Sequence, residues 1–348
     1  MRAGICLAEI VKCDDRMKPR IAVLGCGYWG SNHIRTLKSL GALSAVSDAN
    51  RPRAEGFAIE QGCRAIDPDN LFDDPDIDAL VIALPPQFHA ELAIRAVRAG
   101  KDVLVEKPIA LTVKDAERAV NAAREAGRVF MVGHVLRFHP AFEKLKQLID
   151  EGELGEVKYI HSHRLGLGKF HTESDALWDL APHDLSMILA ITGEAPVEVR
   201  GEGAALLDNL SDFAHVHMRF ANGVRSHLFT SRLNPYRERR LTVVGNKAMA
   251  VFDDAEPWER KLAVYRHAVW RDSGQWAFTA EEPTYVAVQE AMPLTRELQH
   301  YIDCINTRAE PRTNGAEAIE VLRILTEGTV KHERPAGDSA TPGVARAG

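Results

Sequence analysis

Short apolar runs alternate with amphipathic helical patterns between residues 20 and 133. The runs are almost continuously apolar, which is typical of parallel strands that are buried on both faces. Five strands are predicted, at 20–24, 43–48, 78–84, 102–105 and 129–132. Helical patterns separate them at about 30–40, 52–61, 87–99 and 113–126. This regular alternation predicts an α/β Rossmann domain with a doubly wound parallel sheet.

The pattern changes after a linking helix at 140–150. Polar and apolar residues alternate over 212–220, the turn sequence Ala-Asn-Gly follows at 221–223, and a second strand pattern occupies 224–231, so an antiparallel hairpin is predicted. Further strands are expected at 157–165, 196–202, 241–245 and 249–253, and helices at 183–192, 294–307 and 315–331. Together they predict an α+β C-terminal domain with a large, mostly antiparallel sheet and helices on one face.

The chain has 348 residues, which is enough for two domains at about 150 residues each. We expect an N-terminal extension at 1–16, a dinucleotide-binding domain at 17–139 and a substrate-binding and oligomerisation domain at 140–333. The last segment, 334–348, is rich in Pro, Gly, Ala and Ser, and it is expected to be disordered.

Composition and charge narrow the classes of partner. With 45% hydrophobic and 26% charged residues the chain resembles an ordinary globular protein. Its net charge of -6 argues against nucleic acid or an anionic membrane as the main partner. No apolar run approaches the ~20 residues that span a bilayer. The five cysteines form no C-x-x-C pair, so we expect a reduced, cytoplasmic protein without a disulfide framework.

A glycine motif follows the first predicted strand. Gly25, Gly27 and Gly30 have G-x-G-x-x-G spacing, and they open a helix, which is the context of a pyrophosphate-binding turn. Asp48 ends the next strand, where a carboxylate can bind the ribose hydroxyls. That carboxylate repels the extra phosphate of NADP, so the predicted cofactor is NAD, with NADP less favoured because Arg51 and Arg53 offset the repulsion only partly. The alternative is a flavodoxin-like turn without a dinucleotide.

Two further segments carry a family resemblance. Glu106-Lys107-Pro108 follows the strand at 102–105, and Leu-Pro-Pro-Gln-Phe-His at 84–89 ends the preceding strand. With them the chain resembles the Gfo/Idh/MocA family of glucose–fructose oxidoreductases and of inositol and rhizopine dehydrogenases, from Met17 to about residue 333. The resemblance implies that the lysine lies where cofactor and substrate meet.

The resemblance also implies a D-x-x-x-H segment in the second domain, here Asp179 and His183. The acid that the family carries three positions after the histidine is missing, because Ser186 stands there, while Asp184 adjoins the histidine. The cofactor contacts expected besides the glycines and Asp48 are Tyr28, Trp29, Leu84, Pro85, His89, Glu106 and Lys107. The substrate contacts expected are Lys107, His134, Arg137, Arg164, Asp179 and His183.

The chemistry of these residues suits the oxidation of a secondary alcohol, which needs a base for the hydroxyl proton. A histidine, with a usual pKa near ~6.5, fits that role at neutral pH, so His183 is the predicted base. Asp179 can orient the imidazole from one helical turn away. Lys107 can stabilise the developing alkoxide. The alternative for His183 is a histidine at a helix start that is satisfied by local backbone.

A closer resemblance concerns the substrate. Residues 132–157 and 178–188 are similar to the branch of the family that oxidises the C3 hydroxyl of UDP-N-acetylglucosamine to a ketone. Four arginines could then meet a diphosphate, namely Arg137, Arg164, Arg232 and Arg237. The alternatives are a dehydrogenase of a free sugar or cyclitol, and a non-catalytic dinucleotide-binding sensor. Such a sensor would be expected to lack Lys107, Asp179 or His183.

Two pairs of histidines occupy alternate strand positions, His161 with His163 and His215 with His217. Each pair is expected to face one side of the sheet. Because no third ligand follows at a recognisable spacing, we predict a polar sheet face or a subunit interface there, and no metal site. A homodimer or homotetramer is expected, assembled through the open face of this sheet.

Overall fold

A computed structural model describes residues 18–168, 170, 174–207 and 209–329. The predicted extension at 1–16 and the predicted tail at 334–348 lie outside the described residues. The described chain forms two sheets with helices packed on them.

The first sheet has six parallel strands in the order β3-β2-β1-β4-β5-β6. They are β1 (Ile21–Leu24), β2 (Leu43–Ser47), β3 (Arg64–Ala65), β4 (Ala79–Ile82), β5 (Asp102–Glu106) and β6 (Phe130–Gly133). All residues of β1, β4, β5 and β6 are buried, as continuous apolar runs require. The predicted Rossmann domain is confirmed. Its strand order reverses between β1 and β4, the point at which such sheets bind ligands.

Four helices connect the strands of this sheet: α1 (Tyr28–Leu40), α2 (Arg51–Gln61), α3 (His89–Arg98) and α4 (Val113–Glu125). The first two end at Gly41 and Gly62, which both adopt the left-handed backbone conformation that glycine tolerates best. The hydroxyl of Thr112 accepts a hydrogen bond from the Asp115 amide at 3.1 Å and so caps α4.

The second sheet has nine strands, in the order β14-β13-β12-β11-β7-β10-β9-β8 with β15 beside β13. They are β7 (Val157–Leu165), β8 (Glu198–Ala204), β9 (Phe213–Arg219), β10 (Arg225–Ser231), β11 (Glu238–Gly245), β12 (Ala248–Asp253), β13 (Leu262–Asp272), β14 (Gln275–Ala280) and β15 (Thr284–Tyr285). Every pairing is antiparallel except that of β7 with β10. The mostly antiparallel sheet and the predicted hairpin, now β9 and β10, are confirmed. Strands β3 and β13–β15 were not predicted.

Four further helices follow β6: α5 (Pro140–Asp150), α6 (Ala176–Thr192), α7 (Pro293–Thr307) and α8 (Gly315–Gly328). Apolar residues of α5, α6 and α8 form one core with the second sheet. Helix α7 instead packs on the first sheet, where Leu298 and Tyr301 join its core, and the Tyr301 hydroxyl donates to the Leu80 carbonyl at 3.2 Å. The chain therefore returns to the first sheet after building the second.

The predicted start of α6 at residue 183 is wrong. The helix begins at Ala176, where the Asp175 carboxylate accepts a hydrogen bond from the Trp178 amide at 2.8 Å. Pro182 lies inside the helix. A proline removes one backbone donor, but here the buried apolar face of α6 outweighs that loss.

The face of the second sheet that lies opposite α5, α6 and α8 carries five histidines, which we call the histidine face: His161, His163, His215, His217 and His227. The ring centroids of His217 and His227 are 4.6 Å apart and the rings are stacked. Burial and the neighbouring histidines lower the pKa of His227 to about 4. The described residues contain no group of three or more side chains arranged to hold a metal ion. None of the described helices is long and apolar enough to cross a membrane.

The histidine face should make stability depend on pH. A histidine in the unfolded chain titrates near ~6.5, so folding opposes the protonation of His227 as the pH falls from there towards its folded pKa of about 4. Acidification from pH 7.5 to 5 should therefore lower Tm less in His227→Gln than in the wild type. We expect a difference of about 2–4 °C by calorimetry. Equal losses of Tm in the two proteins would contradict this prediction.

Candidate active site

A cavity of about 940 Å³ opens where the carboxyl ends of the first sheet meet the second domain. The first domain lines it with Tyr28, Trp29, Ala83, Leu84, Glu106 and Lys107. From the second domain its walls include Arg164, Asp179, His183, Arg232, Arg237 and Arg239. A ligand in this cavity would touch both domains.

The turn between β1 and α1 has two positions, Gly25 and Gly30, that leave no room for a side chain. Gly25 has φ 101°, and a Cβ there would lie 2.3 Å from the Ala83 carbonyl oxygen. A Cβ on Gly30 would lie 1.8 Å from the Gly25 carbonyl oxygen, whereas one on Gly27 would meet nothing within 4 Å. The first turn of α1 has neither an acidic residue nor a side-chain cap. Its backbone amides and positive helix end therefore suit the pyrophosphate of NAD.

Asp48 lies at the end of β2, beside this turn. Its carboxylate accepts hydrogen bonds from the amides of Cys26 and Asn50, both at 2.7 Å. Arg53 is 3.8 Å away. The residues that line a second cavity, of about 630 Å³, include Asp48 and Ile66. These residues would hold the adenosine end of the cofactor, with the carboxylate fixed by two backbone donors.

Glu106 anchors the segment that carries Lys107. Its Oε1 lies 2.6 Å from Nε2 of the fully buried His33, and its Oε2 accepts from the Lys107 amide at 3.2 Å. Burial raises the pKa of Glu106, but the hydrogen bond to His33 and the charge of Lys107 outweigh burial and bring it below its usual value. Glu106 is therefore a carboxylate that fixes the backbone at the cavity.

Lys107 joins the two halves of the cavity. Its ammonium donates to the main-chain carbonyl of Asp179 at 2.9 Å and lies 3.7 Å from the Asp179 carboxylate. Lys107 follows β5, while Asp179 is in the first turn of α6. The lysine thus reaches across from the first domain to the helix that carries His183.

His183 follows Asp179 by one turn of α6 and lines the same cavity. Its Nδ1 is buried without a hydrogen-bond partner among the described residues. Burial, followed by the charges of Lys107 and Arg164, lowers the pKa of His183 well below its usual value. The imidazole is therefore neutral at pH 7 and able to accept a proton.

His134 lies behind His183 and outside the cavity lining. The two ring centroids are 6.4 Å apart and the rings are perpendicular. Burial, with the charges of Arg137 and Lys107, lowers the pKa of His134 to about 3, and both of its ring nitrogens lack partners in the described chain. Its ring lies beside that of His183, and its contact with substrate stays a prediction.

The two arginines that are predicted to contact the substrate, Arg137 and Arg164, differ in their position relative to the cavity. Arg137 does not line the cavity, because its guanidinium binds the Glu317 carboxylate and donates to the Ser186 carbonyl at 3.2 Å. Its contact with substrate stays a prediction. Arg164 does line the cavity, but it forms a buried ion pair with Asp184, with an Nη2–Oδ1 distance of 3.2 Å.

Among the predicted cofactor contacts, Tyr28, Trp29, Leu84, Glu106 and Lys107 line the cavity, but Pro85 and His89 do not. The buried ring of His89 lies 2.7 Å from the Leu84 carbonyl and 2.7 Å from the Pro108 carbonyl. It ties the loop after β4 to the loop after β5. Its contact with the cofactor stays a prediction.

Two residues of this region were missed from the sequence. His33 faces inwards from α1, together with Ile34 and Leu37, and a histidine within that apolar stripe was the available signal. Arg239 occupies the side of β11 that carries the buried Leu241 and Val243. A charged residue at the apolar phase of a strand points to a special environment.

Comparison with known proteins places both halves of the chain. A family model described as the oxidoreductase family with an NAD-binding Rossmann fold matches residues 19–134. A second model, the GFO/IDH/MocA C-terminal domain, matches residues 142–251.

Individual relatives agree with these matches. A UDP-N-acetylglucosamine 3-dehydrogenase of Acidithiobacillus ferrooxidans is 33% identical over 67% of this chain and 74% of its own. A solved structure of this enzyme from the same organism has a TM-score of 0.79 at 27% identity, covering 90% of this chain and 97% of that one. A scyllo-inositol 2-dehydrogenase (NAD(+)) of Bacillus subtilis is 28% identical over 88% of this chain and 91% of its own.

The position of Asp48 generates a prediction about cofactor choice. We expect NAD to bind more tightly than NADP, because the fixed carboxylate repels a 2′-phosphate. In Asp48→Ala the dissociation constant of NADP divided by that of NAD should fall about tenfold. This corresponds to a change of about 1.4 kcal/mol in relative binding free energy. Fluorescence titration of both cofactors measures it, with Glu60→Ala on the exposed side of α2 as the control. A wild-type preference for NADP would refute the prediction.

Proposed function

Because the chain belongs to the Gfo/Idh/MocA family of NAD-binding oxidoreductases, which act on sugar and cyclitol hydroxyls, we propose that it oxidises a nucleotide sugar such as UDP-N-acetylglucosamine. The product is the 3-ketone. One observation carries this proposal: a neutral imidazole and an ammonium group share a single cavity with four arginines. The first two groups suit alcohol oxidation, and guanidinium groups suit a diphosphate.

His183 is the proposed general base. Its Nδ1 is buried, so the hydroxyl proton of the substrate passes to Nε2. The lowered pKa keeps the ring neutral and ready for this transfer at pH 7. When bound, NAD would accept the hydride that leaves the carbon bearing this hydroxyl.

Lys107 is the proposed electrophilic partner of the base. Its ammonium can donate to the substrate oxygen while that oxygen gains negative charge. Asp179 holds the ammonium through its carbonyl, at 2.9 Å, and through its nearby carboxylate. Asp179 thus positions the lysine.

We propose that residues 17–139 bind the cofactor and residues 140–333 bind the substrate. Helix α7 is the exception in position, since it packs on the first sheet and braces β4 through Tyr301. We also propose a cytoplasmic setting, which the unpaired thiols of Cys26, Cys63 and Cys304 support.

A cyclitol dehydrogenase is the second candidate. The Bacillus subtilis scyllo-inositol enzyme aligns with 88% of this chain, a longer match than the 67% of the nucleotide-sugar enzyme. The two candidates differ in charge, because an inositol has no anionic group. Absorbance of NADH during incubation with UDP-N-acetylglucosamine, free N-acetylglucosamine and scyllo-inositol separates them. Turnover of scyllo-inositol alone would exclude the first proposal.

The proposed base gives a direct mutational test. His183→Ala should lower kcat by roughly 10²–10⁴-fold, the usual effect of losing general-base catalysis. The Kd of NAD should stay within about twofold, because the first domain holds most of the cofactor. Lys107→Ala should also suppress turnover, with some change in NAD affinity.

His300→Gln is the matched control for His183→Ala. His300 lies outside the cavity lining, and glutamine can still accept the hydrogen bond from the Arg312 amide. Its kcat should match that of the wild type. Near-normal turnover by folded His183→Ala at neutral pH would make His183 a structural residue.

We further propose a homodimer or homotetramer that forms through the histidine face. This face lies opposite the helices and also exposes Tyr159. Multi-angle light scattering at micromolar concentration should give a mass of at least twice 38.5 kDa. A mass of 38.5 kDa alone would refute the assembly.

A further inference from the structure

We infer that Arg237 and Arg239 form a subsite for the anionic oxygens of the substrate, those of a diphosphate in a nucleotide sugar. This inference rests on the proposed function, and it assigns specific residues to the recognition of charge. Both arginines line the cavity that contains Lys107 and His183. Arg239 is the second residue of β11, and Arg237 directly precedes that strand.

The other two arginines of the cavity are already neutralised. Arg164 is paired with Asp184, and Arg232 is paired with Asp212 at 2.7 Å. Both carboxylates are almost completely buried, with 1% and 0% of their side chains exposed. Removing either arginine from its partner would leave a buried charge alone, so these two arginines stabilise the walls.

Arg239 has a different set of partners. Its Nη1 donates to the carbonyls of Leu165 at 2.6 Å and Glu238 at 2.8 Å. Among the described residues no carboxylate forms an ion pair with it. Burial, followed by the charges of Arg164 and Arg237, lowers the pKa of Arg239. The side chain is fixed by two carbonyls and keeps its positive charge for another partner.

Arg237 is the more exposed of the two and lies at the same wall of the cavity. It makes no ion pair with any residue in the described part of the chain. The acidic groups that line the cavity are engaged elsewhere: Asp179 with Lys107, Glu106 with His33, and Asp175 with the first turn of α6. The cavity therefore carries an excess of positive charge on its β11 side.

An uncharged sugar or cyclitol would leave that excess uncompensated. Two guanidinium groups match phosphate or carboxylate oxygens, to which they can donate paired, charge-assisted hydrogen bonds. The cavity, at about 940 Å³, is large enough for a substrate that extends from His183 to β11. The geometry thus favours an anionic substrate whose charged group lies away from the reacting hydroxyl.

The test is isothermal titration of UDP into the NAD-saturated protein. Arg239→Gln and Arg237→Gln should each raise the Kd of UDP by about 10- to 100-fold, the loss expected for a charged hydrogen bond. Arg239→Lys should give an intermediate loss, because lysine keeps the charge but loses the fork. Arg260→Gln, an exposed arginine beside Glu256 in the same domain, is the control and should leave Kd unchanged.

A second titration, with D-glucuronate, identifies the source of the anion. If UDP affinity depends on the two arginines, the subsite binds the diphosphate of a nucleotide sugar, as inferred. If only glucuronate affinity depends on them, the two arginines do bind an anion, but a nucleotide sugar is excluded as the substrate. NAD affinity and Tm of each variant show that it is folded, and Arg237→Gln alters only an exposed side chain.

Two outcomes would overturn the subsite. One is that neither ligand loses affinity in Arg237→Gln or folded Arg239→Gln. The other is that Arg260→Gln weakens binding as much as they do. Turnover of UDP-N-acetylglucosamine by the wild type is measured separately, so the proposed function can survive the loss of this subsite.

Discussion

The hydrogen bond from the Lys107 ammonium to the Asp179 carbonyl joins the first domain to the helix that carries His183. Its donor follows a strand of one sheet and its acceptor begins a helix of the other domain. The proposed reaction requires Lys107 and His183 to be held within a few tenths of an ångström of their working positions. The buried pair of Glu106 and His33 fixes the donor side, and the capping Asp175 fixes the acceptor side. The proposed catalytic geometry thus depends on a long-range contact on the lysine side and on a local helix cap on the Asp179 side.

Buried ion pairs determine which charges remain available in the cavity. Asp184 and Asp212 are buried, and each is satisfied by an arginine that also faces the cavity. Such pairs contribute little net stability but are costly to break, so they hold their side chains in one arrangement. Lys107, held by the carbonyl and carboxylate of Asp179, and Arg239, held by two carbonyls, then present their charges to the cavity in fixed positions. Arginines that are paired with buried carboxylates therefore stabilise the walls, whereas cations held by carbonyl groups remain available to a ligand.

The first domain was predictable because its signals are local. The strand predicted at 102–105 corresponds to the observed β5 (Asp102–Glu106), and the glycine spacing identifies the turn at Gly25. The role of Arg137 was not predictable, because its partner Glu317 lies far along the chain in α8. Strands β13 and β14 escaped prediction although β14 alternates, and their apolar residues Trp276 and Phe278 stay exposed, so pairing between the two strands rather than a buried face defines them. Local patterns give elements and motifs, whereas the allocation of charges needs tertiary contacts.

The residues proposed for the reaction and the residues proposed to recognise charge are attached to different parts of the fold. Lys107 and His183 lie where the two domains meet, and Lys107 is hydrogen-bonded to the helix that carries His183. Arg237 and Arg239 lie at one end of β11, where a side chain can change while Leu241 and Val243 keep the strand in the core. Relatives of similar fold are named for action on inositols and on UDP-N-acetylglucosamine, and only the second of these carries a diphosphate. Substitution at the start of β11 can accommodate that difference without moving the catalytic pair.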